Sequence, residues 1–233
     1  MGARLGLFLL ALVALPSVAS SVPRQALNHL PELVKNQRAL WPDAPFPEFL
    51  AGQIEQESCI SLKHSRCWNP RAELKTKREN GIGLGQFTRA YNADGSIRFD
   101  VIDDLRRTYP ELRGWNWETR YSAPYQLKAI ILMDRGIYRR VKAAESDLDR
   151  LSMTLSAYNG GEGGLRQDRL LCKNTKGCDP ARWKGHVERT SLKAKKPHPG
   201  YGQSFYHINR EYVTNVLDVR RGKYAKYFGK ENG

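Results

Sequence analysis

The chain has 233 residues, 27% of them Asp, Glu, Lys or Arg, and a formal charge of +14. That length suits one domain with a real core and excludes several large ones. No interior linker rich in Gly, Ser or Pro divides it. The positive balance points to an anionic partner, which by charge alone could be nucleic acid, lipid or a polymer.

Residues 1–20 read as a secretory signal peptide. Arg4 gives a basic start, Leu5 to Leu15 form an apolar run, and small residues follow, with cleavage expected after Ala19 or Ser20. The run is too short to span a bilayer, and no later stretch approaches the roughly 20 apolar residues a spanning helix needs. The sequence therefore predicts an exported protein, periplasmic or secreted, with no transmembrane segment. Export argues against nucleic acid as the partner and for an anionic polymer of the cell envelope.

Residues 21–45 form a leading segment in which Leu27, Leu30, Leu33 and Val34 keep helical spacing until Trp41-Pro42 breaks it. Pro47 then suits the first turn of a helix running to about Ser58, with Glu48 at the end the helix dipole favours. In it Leu50, Ile54 and Glu57 stand at i, i+4 and i+7, which sets a carboxylic acid on an apolar face. Burying an acid there favours its neutral form, the state of a proton donor. A solvated Glu57 at the helix end is the plainer reading of the same spacing. Glu55 and Glu79 are rival acids, and Glu55, two residues from Glu57, should point well away from it on a helix.

Four cysteines behind a signal peptide imply disulfides. Of three pairings, the local one is expected, Cys59 with Cys67 and Cys172 with Cys178, each contributing about 2–3 kcal/mol by closing a short loop. A zinc site fits poorly, because the five histidines are scattered. Gly81, Gly83 and Gly85 suit neither a helix nor a strand interior, and the run lacks the Lys and Ser/Thr of a phosphate loop. Asn92-Ala93-Asp94-Gly95 predicts a turn closing a small hairpin.

Tyr121 to Ala144 is the longest predicted helix, with Leu127, Ile130, Ile131, Asp134, Ile137, Tyr138 and Val141 in a broad stripe. Asp134 on that stripe needs a partner. A second helix is predicted from Asp147 to Tyr158, with Leu148, Leu151 and Leu155 inward, ending at Asn159-Gly160-Gly161. Shorter pieces follow at Leu165 to Leu171 and Ala181 to Val187, then a polar loop from Lys193 to Tyr201. A last helix sets Phe205, Ile208, Tyr212 and Val216 on one side, and residues 219–233 read as a basic tail. No repeat and no strand-rich stretch is evident, so the predicted fold class is mainly α.

Four separated pieces now combine. Glu57-Ser58, Asn69-Pro70-Arg71-Ala72, Gly83-Leu84-Gly85-Gln86 and Ala157-Tyr158-Asn159-Gly160-Gly161, in that order, resemble the soluble-type lytic transglycosylases, a family of lysozyme-like fold related to goose lysozyme. Tyr212-Val213 looks like the tyrosine that closes that family's site. The resemblance covers residues 46–218 of a single domain spanning 21–233. It departs from the pattern at Gly85, where the family usually has methionine, and in a longer gap between Glu57 and Asn69, which a Cys59–Cys67 bond would close.

The resemblance implies a lysozyme-like fold with a small hairpin near the cleft, and cleavage of the MurNAc–GlcNAc β-1,4 bond of peptidoglycan glycan strands. It implies Glu57 as the single acid and base, no cofactor and no metal. Ser58, Gly83, Gly85, Gln86, Tyr158, Asn159 and Tyr212 would bind substrate, with the two glycines letting the sugar chain approach the backbone. Leu50 and Ile54, with Tyr158 and Tyr212, would form the apolar wall that raises the acid's pKa. Ser58 could equally bond its own helix backbone, and Asn159 could bind sugar or brace the helix end. Three alternatives stand beside this reading: a hydrolytic muramidase of goose-lysozyme type using Glu79 or Asp94 as second carboxylate, a non-catalytic basic wall-binding protein, and an exported nucleic-acid binder.

Overall fold

The structure, a computed structural model, describes residues 21–197 and 202–229. The expected signal peptide and parts of the 193–201 loop and basic tail lie outside these residues. Helices dominate, joined by one four-stranded antiparallel sheet, and no described helix is long and apolar enough to cross a membrane.

The helical scaffold is α1 (Leu30–Leu40), α2 (Phe49–Ser58), α3 (Val101–Thr108), α4 (Ala123–Arg140), α5 (Asp147–Gly160), α6 (Glu162–Lys173), α7 (Phe205–Thr214) and α8 (Ala225–Phe228). Its starts and stops follow from local chemistry. Pro124 sits in the first turn of α4, where a missing N–H costs nothing. Ser146 caps α5 by accepting from the Asp149 N–H at 3.1 Å. Gly161, at φ 80°, ends that helix with a conformation side chains disfavour.

α4 is the buried centre, and the expected stripe of Leu127, Ile130, Ile131, Asp134 and Ile137 is inaccessible to solvent. It packs between α1 and α5, while α2 lies against the 83–85 turn and the segment after α7. Both local disulfides are present, Cys59–Cys67 and Cys172–Cys178. The cysteines are consumed there and are not metal ligands.

Several expectations need correction. The sheet runs β1 (Glu73–Lys75), β2 (Glu79–Ile82), β3 (Phe87–Tyr91) and β4 (Ile97–Asp100), ordered β1-β2-β3-β4. The predicted 92–95 turn does close a hairpin, between β3 and β4, but two further strands had no signature. Gly81 lies inside β2, paired with Thr88, contrary to the reading of the glycine run. Leu148 is not inward but 43% exposed, because α5 buries Leu151, Met153 and Leu155 instead. On α7 the buried set is Asn209, Arg210, Tyr212 and Val213, which turns Phe205 outward.

The basic tail is not a solvated appendage up to residue 229. α7 continues as a wider turn over Asn215–Arg220, then the chain folds onto α2, burying Tyr224 completely. Residues 181–187 form turns in place of a regular element, and Lys193 is pinned to Asp168 at 2.9 Å rather than free in a loop.

Candidate active site

Glu57 closes the last turn of α2 at the wall of an open cleft of about 330 Å³, whose lining includes Ser58, Arg66, Glu79, Gly81 and Gln86. One face of α2 buries Leu50 and Ile54 completely, while Glu57 itself is half-buried. Loss of water around the carboxyl pushes its pKa up to about 7, and a hydrogen bond donated by the Tyr212 hydroxyl at 2.6 Å opposes part of that rise. No salt bridge reaches Glu57 among the described residues. The Glu57 side chain is thus neither freely solvated at the helix end nor fully buried.

Tyr212 stacks on Tyr158, ring centres 6.4 Å apart and planes 10° from parallel. Burial raises both phenols well above their usual value, and the charge of a nearby Glu57 carboxylate adds to the effect. Both therefore donate as neutral hydroxyls. Tyr212 donates to Glu57, and Tyr158 donates to the Gly85 carbonyl at 2.9 Å. The two tyrosines thus join α5, α7, the glycine turn and the acid, and neither is among the residues lining the cleft.

The glycine turn is shaped from behind. Gly83 adopts φ 67° and packs so tightly on Gln126 that any Cβ there would overlap that side chain. A Cβ on Gly85 would meet Tyr158 and Phe87 at 2.8 Å. These glycines are buried and answer to protein packing, and neither is among the residues lining this cleft. Gln86, at φ 45°, does face the cleft, and its amide donates to the Gly83 carbonyl at 2.9 Å. Its Oε1 is the atom left to meet a ligand donor.

Ser58 divides between two readings. It touches the cleft, yet its hydroxyl donates to the Ile54 carbonyl at 2.7 Å and accepts from the Trp68 N–H at 3.0 Å. It therefore ties the end of α2 to the Cys59–Cys67 loop. Asn159 accepts from Asn209 at 3.0 Å and does not line the cleft, so it braces the end of α5. Asn69-Pro70-Arg71-Ala72 forms a turn that supports the glycine segment: the Ala72 carbonyl accepts from Gly83, and the Pro70 carbonyl accepts from Gln126.

The rival acids separate cleanly. Glu55 is 1% exposed, but Lys223 lies at 2.8 Å, Arg220 at 3.7 Å, and Tyr224 donates at 2.5 Å. It points away from the cleft, as the helix spacing requires. Asp94 is held in the hairpin turn by Ser96 and is excluded from the cleft lining. Glu79 does line the cleft.

Sequence reasoning missed three residues that build this site. Gln126, fully buried, accepts from the Leu84 N–H at 2.9 Å and donates to the Pro70 and Arg120 carbonyls, clamping the glycine turn. Gln53, one helical turn before Glu57, donates to Asp134 at 3.5 Å. Arg66 is the one cation among the residues lining the cleft. A polar residue inside an apolar stripe was the only available signal, and it pointed to Asp134 alone.

No known protein-family model matches this chain. No curated protein matches it either.

Proposed function

We propose that the protein is a peptidoglycan lytic transglycosylase of lysozyme-like fold, acting outside the cytoplasm. The observation that carries this reading is Glu57, a half-buried carboxyl with a pKa near 7, held by one tyrosine and no cation at the wall of an open cleft. A group poised near neutrality exchanges a proton in both directions, as a single acid and base must. The two disulfides fit an oxidising compartment.

In this reading Glu57 donates its proton to the glycosidic oxygen as the C1–O bond of MurNAc breaks, its electrons going to the leaving GlcNAc oxygen. The 2-acetamido group shields the cationic carbon, the substrate-assisted variant of glycoside cleavage. The C6 hydroxyl then attacks C1 and returns its proton to the Glu57 carboxylate, leaving a 1,6-anhydro ring without consuming water. Tyr212 stabilises the carboxylate state between the two transfers. Gln86 offers an acceptor to an amide N–H of the substrate, and Arg66 suits a carboxylate of a peptide stem.

A second reading is favoured by Glu79, which lines the same cleft. With Glu79 directing water, the enzyme would be a hydrolytic muramidase. Mass analysis of muropeptides released from purified peptidoglycan separates the two: anhydro ends, one water lighter, support transglycosylation, and reducing ends support hydrolysis. Release of nothing by a folded protein that still sediments with the wall would overturn both.

A further inference from the structure

Asp134 lies at the centre of α4 with no solvent access and no salt bridge among the described residues. Its only hydrogen bond among the described residues is from Gln53 Nε2 to Oδ1, at 3.5 Å. Its other oxygen, Oδ2, has no partner, and neither has Gln53 Oε1. Two buried acceptors without donors therefore belong to two side chains already joined by one bond. Leaving both unmet would be costly in a packed interior.

One proton resolves both. A neutral Asp134 carries an O–H, and the matching unmet acceptor is the Gln53 carbonyl oxygen. The result is a closed acid–amide pair, one N–H to oxygen and one O–H to oxygen. We propose that Asp134 is a permanently neutral acid paired in this way with Gln53, and that the pair positions Glu57 by fixing the preceding turn of α2 to α4. The positioning half rests on Glu57 being the reacting group.

The surroundings agree. The charged or titratable groups that act on Asp134 are Glu57 from α2, Tyr158 from α5 and Tyr212 from α7. None is a cation, so nothing would compensate a carboxylate, and burial together with the Glu57 charge drives Asp134 well above the usual carboxylate range. Gln53 stands four residues before Glu57, on the same side of α2. Neutrality at Asp134 matters for chemistry too, because a second fixed negative charge would resist the Glu57 carboxylate that forms after proton transfer.

The test compares two substitutions of nearly the same shape. Asp134→Asn keeps a donor and an acceptor for the Gln53 amide, whereas Asp134→Leu fills the volume and offers neither. Asp134→Asn should retain kcat on peptidoglycan within about threefold, while Asp134→Leu should lose at least about tenfold in kcat with KM unchanged. Glu57 followed by carbon-13 NMR should titrate as in the wild type in Asp134→Asn and at higher pH in Asp134→Leu, whose surroundings are more apolar. Infrared spectra of Glu57→Gln at about pH 8 should keep a protonated-carboxyl C=O band that vanishes when Asp134→Asn is added.

Absence of that band, or an inactive but folded Asp134→Asn, would overturn the neutral pair. A folded Asp134→Leu with wild-type kcat and an unmoved Glu57 titration would overturn the positioning role. Should the wild type release no sugar, the transglycosylase reading fails. The infrared band and the Glu57 titration would still decide the pair and its hold on Glu57.

Discussion

Two ends of one helical turn handle a buried carboxylate in opposite ways. On one side of α2, Glu55 meets Lys223, Arg220 and the Tyr224 hydroxyl. Two residues later Glu57 meets one phenol and, among the described residues, no cation. The Glu55 arrangement repeats at Asp168, 1% exposed, which holds Lys193 and Arg210, each at 2.9 Å. Where a carboxylate fastens chain segments together, the fold supplies cations. Where, in the proposed mechanism, it moves protons, the fold withholds them and lets burial set its affinity. Burial alone does not mark a candidate acid, and neither does lack of a cation, which Asp134 shares; Glu57 combines an uncompensated carboxyl with a place at the cleft.

The contrast can be broken by exchanging what each acid does. The largest effect is expected for Glu57→Gln, which should lower cleavage by about 10²–10⁴-fold, the range ascribed to a positioned acid or base, with the circular dichroism spectrum unchanged. Near-normal turnover in that variant would remove Glu57 from the mechanism. Glu55→Gln should behave in reverse. It removes the buried negative charge that Lys223 and Arg220 face and should cost about 3–5 kcal/mol in denaturant unfolding, while the protein that remains folded cleaves normally.

Tyr212→Phe sharpens the comparison through pH. The tyrosine O–H stabilises the carboxylate, so its loss favours the acid, and the Glu57 pKa should rise above about 7. Activity that needs protonated Glu57 falls as pH rises through this value, and in the variant that alkaline limb should move to higher pH. A limb moving to lower pH would show that the tyrosine holds the neutral form.

The smallest effect is on stability. Because the folded state raises the Glu57 pKa, the fold binds a proton the unfolded chain has lost. Stability is therefore given up as pH climbs from the ordinary carboxyl value to about 7. Glu57→Gln should remove that loss, raising Tm by about 2–4 °C per kcal/mol regained at alkaline pH and leaving it unchanged in acid. Scanning calorimetry at both pH values checks the sign.

Those two acids also show what the sequence could disclose. Glu57 was readable because Leu50 and Ile54 share its helical face, and the opposed direction of Glu55 followed from the same geometry. Local features were equally legible: the Cys59–Cys67 and Cys172–Cys178 loops, the 92–95 turn, and the stripe on α4 with Asp134 in it. What pairs with Glu55 was not, since Lys223 and Tyr224 are about 170 residues away along a stretch that reads only as a basic tail. β1 and β2 escaped because three- and four-residue strands containing Asn80 and Gly81 carry no alternation. The glycines were correctly singled out for close approach, but the approaching groups are Gln126 and Tyr158, supplied from α4 and α5.

The most direct test of the central claim is mass spectrometry of muropeptides released from purified peptidoglycan by the wild type, with Glu57→Gln as control. A lytic transglycosylase with Glu57 as its acid and base releases products one water lighter than their reducing counterparts, absent with the variant. Reducing ends from the wild type, or undiminished release by Glu57→Gln, would contradict that claim.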